Sequence, residues 1–249
     1  MTGKWLWFAL GLLAVAFAVP AGFSLQHDAH QQEMSPAAPT PPASRADAAK
    51  EEADKRFSEF NHRFAGVFVF LIGIVALLEP YAAKRFGVLR YLWTVCFFVP
   101  GLYLAFFSDP ESWPIGDQTL YYVVTQNMQV LQHKVFSLLL LALSVVEYLR
   151  ARNKLRALWT VFLFPAFAGA GAALLLFHSS AAHAGGMDPS AHLAMQKIEG
   201  QHVHFAVLGF GIALSKAVAD TERFHPQWMR VLFSALMLVL GLLLITYTE

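Results

Sequence analysis

Cysteine occurs once in the 249 residues, as Cys96 inside an apolar run, and a single thiol cannot close an intrachain disulfide. There is no C-x-x-C-H for covalent haem, no P-loop and no dinucleotide fingerprint. Charge is scarce as well: Asp, Glu, Lys and Arg make up 14% of the chain and balance to a net +1, which says little about partners because the placement of charge matters more in a membrane protein; no nucleic-acid partner is expected. The apolar segments lack the alternation of barrel strands, which excludes a transmembrane β-barrel. No nucleophile, base and orienting group stand together, so an independent enzyme has the least support.

What is present is hydrophobic sequence, 57% of it, gathered into runs that approach or reach the roughly 20 residues needed to cross a hydrocarbon core. Backbone groups in lipid must be satisfied within each span, so the spans should be helices. The expected fold is an all-α integral membrane protein with six transmembrane helices, paired as three hairpins, after an N-terminal signal peptide or anchor helix. That first run, "WLWFALGLLAVAFAVPAGFS" within residues 1–24, follows Lys4 and ends in small residues that a signal peptidase could read. Residues 25–60, rich in Ala, Pro, Ser and charge, have too few large apolar side chains to build a core and read as an exported flexible tether carrying His27, His30 and Met34. Residues 61–249 form the membrane domain, with spans expected near 63–78, 88–107, 135–149, 157–177, 203–219 and 228–247.

Basic residues set the expected orientation. Lys84, Arg85 and Arg90 flank the first turn, Arg150, Arg152, Lys154 and Arg156 the second, and Lys216, Arg223 and Arg230 the third, which places these turns in the cytoplasm. The opposite loops carry only Lys134 and Lys197 and should face the periplasm or exterior.

Each hairpin opens on an amide residue followed by histidine: Asn61-His62, Gln132-His133 and Gln201-His202. The aligned histidines lie about 70 residues apart, a period that suggests an internal repeat whose equivalent positions approach a shared axis. Near the other ends of the same helices Glu79, Glu147 and Lys216 occupy matching places, which is also what tolerant helix ends beside basic turns would show. Of the ten histidines, all but His225 fall on or near the exported side. The last exported loop interleaves His178, His183 and His192 with Met187 and Met195, and thioether sulfur mixed with imidazole favours copper over zinc or iron. His202 and His204, two residues apart on a helix, cannot both face the bundle axis. The aligned position nominates His202 for a shared site with His62 and His133, and leaves His204 for a neighbouring helix, a loop ligand or lipid headgroups. Arg63 and Lys134, next in sequence, are expected to snorkel outward.

Taken together, "SDPESWPIG", "LQHKVFSLLLLALSVVEYLRAR", "LLLFHSSAAHAGG" and "EGQHVHFAVLGFGIALSKAV" resemble the bacterial copper-resistance protein D (CopD-like) family, over most of the chain from His62 onward. That resemblance implies a bacterial inner-membrane protein of copper uptake or tolerance, with exported histidines as copper contacts and a periplasmic copper carrier as a partner. The competing expectation is a b-type cytochrome-like electron-transfer subunit, with haem b held between two of His62, His133, His178 and His202. A third is a metal-free structural subunit whose histidines cap helices.

Overall fold

The computed structural model describes residues 45–82, 85–176, 189–222 and 225–249, with side chains described except at 45–48, 51 and 189–195. Residues 1–24, and the part of the tether with His27, His30 and Met34, lie outside the described residues. The described chain is all helical: α1 (Arg45–Ala82), α2 (Leu89–Phe106), α3 (Leu120–Gln126), α4 (Met128–Ala151), a 3-10 turn (Leu158–Phe162) running into α5 (Leu163–Leu176), α6 (Pro189–Thr221) and α7 (Pro226–Ile245). Six stretches are long and apolar enough to cross a membrane: Glu52–Ala82, Leu89–Phe106, Met128–Ala151, Leu158–Leu176, Gln196–Thr221 and Pro226–Ile245. The chain is a multi-pass membrane protein.

Contacts divide the chain into two units, with the boundary after Phe60. In the first, the described residues 45–60 are helix, where the sequence suggested a flexible tether. A segment too poor in apolar side chains to make a core still holds Ala, Glu, Lys and Arg, all strong helix formers, and Arg56 pairs with Glu52 one turn earlier at 2.9 Å.

In the second unit, residues 61–249, sequence neighbours are spatial neighbours. Helix α2 packs on α4, α4 on α5, α5 on α6 and α6 on α7. Helix α1 completes the ring. Phe64 meets Tyr103 of α2 on one side, with ring centroids 4.5 Å apart, and Gly66, Phe70 and Gly73 lie against α7 on the other. The approach is so close that a Cβ on Gly241 would fall 2.5 Å from the Phe70 backbone nitrogen, and one on Gly66 2.7 Å from that of Ile245. Small residues at this seam let two backbones gain dispersion contact that lipid cannot replace.

All of the ring helices feed one core: Ile72 and Val75, Trp93 and Phe97, Leu143, Phe164, Ile212, Phe233 and Met237. Trp93 stacks on Phe233 with centroids 5.6 Å apart, and Phe164 meets both edge-on. Large side chains such as Leu71, Phe98, Leu138 and Leu214 stay exposed on the outer face, as a lipid-facing surface requires. Between helices, Ser137 donates to the Gly101 carbonyl at 2.9 Å and Ser144 to the Thr94 carbonyl at 3.0 Å, tying α4 to α2 where water is absent.

Candidate functional site

At one end of the ring the three amide-histidine pairs sit at or near the starts of their membrane-crossing stretches, and the amides perform one repeated task. Asn61 donates to the Ser108 carbonyl at 3.5 Å, Gln132 to the Leu174 carbonyl at 3.5 Å and Gln201 to the Thr248 carbonyl at 3.3 Å. In every case the acceptor lies at or just past the far end of the helix that completes the same hairpin. The cations next in sequence reach the other way round the ring, to the preceding hairpin. Lys134 donates to the Ala105 carbonyl at 2.9 Å, and Arg63 to the Tyr247 carbonyl at 3.2 Å through Nη2. These side chains satisfy carbonyls that helix ends leave open. The expectation that Arg63 and Lys134 snorkel outward is corrected: both side chains reach carbonyls within the protein.

The histidines differ more than the amides. His62 stacks on Tyr247, with centroids 3.9 Å apart and planes 20° from parallel, and meets His202 edge-on at 5.8 Å. His202 is 5% exposed and its Nδ1 lies 2.8 Å from the Ile198 carbonyl. A ring nitrogen facing a carbonyl carries the proton, so the neutral ring keeps its lone pair on Nε2. His204 makes the same backward bond to Gly200 and is only half-buried, on a different side of α6. His133 is held by Asp109, whose carboxylate oxygens lie 3.0 and 3.2 Å from Nδ1, yet it remains close enough to act electrostatically on His202.

Asp109 went unnoticed in the sequence, where it is one of several acidic residues in a polar loop. Folding places it against His133, with the Ser108 hydroxyl also donating to it. Burial alone would raise its pKa, but the bonds from His133 and Ser108 and the nearby charges of His133 and Lys134 outweigh this and hold the carboxyl below the ordinary carboxylate range. Tyr247 was likewise missed. It is 2% exposed, its carbonyl receives Arg63, and the adjoining Thr248 receives Lys197 and Gln201, so residues 246–249 form a cover beside the histidine pair.

His178, His183 and Met187 lie outside the described residues. His192 and Met195 belong to the first turns of α6, and their side chains lie outside the description. Among the described residues no three His, Cys, Asp or Glu side chains gather closely enough to hold a metal ion. His62 and His202 meet edge-on, at a spacing ordinary for two aromatic rings. An imidazole centroid sits about 3.2 Å from a metal bound at about 2 Å, so two rings on one ion are separated by roughly 5.2 Å at a tetrahedral angle and 6.4 Å when linear. The observed 5.8 Å lies between these limits.

The opposite end carries a charge network. Arg150 bridges Glu147 at 3.1 Å and Asp220 at 3.0 Å, and Lys216 binds the other Asp220 oxygen at 2.8 Å. The Lys216 ammonium also stands over the rings of Trp93, Phe164 and Phe233, at 5.6, 5.8 and 5.7 Å. Glu79 and Lys216 both act electrostatically on Glu147, so the three matching positions do converge here. No family model, no curated protein and no solved structure matches the chain.

Proposed function

We propose that this chain is a copper-handling protein of a bacterial inner membrane, with the histidine end outward and the basic turns in the cytoplasm. One observation carries it: the 5.8 Å edge-on approach of His62 and His202, at a spacing two imidazoles adopt on a single ion. Copper is the cargo. A two-imidazole site with His202 buried and His62 half-buried suits Cu(I), which accepts low coordination, and the His/Met-rich segment 178–195 supplies soft ligands that would capture the ion and pass it inward. The likeness to CopD-like proteins, the excess of Lys and Arg in the three turns and the aligned histidines all support this reading. A haem b site gains less support, because Tyr247 and Phe205 lie in ring contact with the pair, where a macrocycle would need room.

The test is copper content of the purified full-length protein after loading with Cu(I). His62→Ala and His202→Ala should each weaken binding by more than the roughly 10–100-fold that losing an outer-shell partner costs a metal site. His225→Ala, at the other end, should bind as the parent does. A Soret band in the parent, or undiminished copper in both alanine variants, would overturn the proposal.

A further inference from the structure

The basic-turn end holds a partly open cavity of about 460 Å³, well within the range of small-ligand sites. Four helices wall it: Glu79 comes from α1, Trp93 from α2, Lys216 and Asp220 from α6, and Arg230 and Phe233 from α7. Most of the charge is already matched. Lys216 and Asp220 satisfy one another, and with Arg150 and Glu147 behind them they form a neutral quartet.

Two lining groups retain capacity. Glu79 makes no hydrogen bond or salt bridge among the described residues, and Arg230 reaches only the exposed Glu222 at 3.5 Å. One anion and one cation therefore line a single space. A simple anion would meet the Glu79 carboxylate and a simple cation the Arg230 guanidinium. Either would leave a like charge poorly solvated beside it. We propose that this cavity binds a zwitterion, its anionic oxygens received by Arg230 and its ammonium by Glu79.

Glu79 lies in the last turn of α1 and Arg230 in the first turns of α7, so the site sits at the helix ends, at headgroup depth. Phosphatidylethanolamine and a soluble phosphoethanolamine share the required chemistry. The proposal stands apart from copper, since no residue here belongs to the histidine end.

Native mass spectrometry of the full-length protein with equal amounts of phosphatidylethanolamine, phosphatidylglycerol and phosphatidylcholine tests it. The first lipid should be retained at least about threefold over the others, the scale of one partly exposed ion pair. Glu79→Gln should erase its advantage over phosphatidylglycerol, and Arg230→Gln should lower retention of both. Stepwise N-methylation of the ethanolamine lipid gives a second measurement on the unaltered protein, and preference should fall as N–H donors are lost. If phosphoethanolamine displaces the lipid, or binds alone with the same dependence on Glu79 and Arg230, the ligand is the soluble zwitterion. If it does neither while the lipid is retained, the ligand is the lipid. Equal retention of all three lipids with no binding of phosphoethanolamine, or an ethanolamine preference that survives Glu79→Gln, would overturn the proposal.

Discussion

Asp109 and His133 illustrate how little a residue's own sequence context says about its role. The carboxylate is reached by His133 Nδ1 at 3.0 Å, and burial, which would raise its pKa, is outweighed by the bonds from His133 and Ser108 and the positive charge nearby, so the pKa is lowered. A carboxyl whose folded pKa is depressed binds fewer protons folded than unfolded. Its stabilisation is therefore complete above the unfolded value near 4 and is lost as pH falls through the lower folded value. Asp109→Asn should cost about 1–3 kcal/mol at neutral pH, the range for a buried charged hydrogen bond. Thermal unfolding in detergent should show the parent and variant far apart at pH 7 and converging below about pH 4. A gap that persists in acid would mean that the carboxylate charge does not supply the difference. The three aligned histidines were visible as residue types at a repeated spacing. Their partners Asp109 and Tyr247 were not, because neither occupies a position that spacing marks.

Among the elements, the spans were legible and their ends were not. Hydropathy located all six, but α4 begins at Met128 and the fifth span at Gln196, where polar residues precede the apolar run. Helix propensity and caps extend a helix beyond its lipid-facing part: Asn127 Oδ1 accepts from the Val130 N–H at 3.1 Å and starts α4 ahead of His133. The seam between α1 and α7 separates two kinds of glycine. Gly241→Ala should destabilise by about 1–3 kcal/mol, since its Cβ would press on the Phe70 backbone rather than on a side chain that can turn away. Gly200→Ala in α6 meets nothing within 4 Å and should stabilise by about 0.5–1 kcal/mol through helix propensity. Thermal midpoints in one detergent compare the two, and a loss at Gly200 equal to that at Gly241 would show that contact at the seam is not the cause.

For the whole molecule, ring closure explains why amides and cations recur. Each amide ties the two arms of its own hairpin together, whereas Lys134 and Arg63 tie a hairpin to the one before it, the latter across the closing seam between α1 and α7. The third hairpin has Val203 at the matching place, so this pattern of cations is incomplete there. Orientation is a property of the same scale, because residues 246–249 share an end with the histidines. If the basic turns are cytoplasmic, as proposed, a reporter that is active only outside the cytoplasm should be active when fused after Glu249. Activity there of a reporter that works only in the cytoplasm would invert the molecule and place the histidine pair inside the cell.

The sequence by itself determined the solvent, the helical class, the number of spans and the repeated amide-histidine starts, because lipid imposes length and hydropathy on each segment separately. Only the tertiary structure decided which repeated residues meet. His62 and His202 touch because α1 and α6 both border α7 in a closed ring, while Asp109 draws His133 into a different bond. The neutral quartet at the far end is of the same kind: Glu147, Arg150, Lys216 and Asp220 are spread along the chain, and their pairing depends on how two helices face each other, which no single segment encodes.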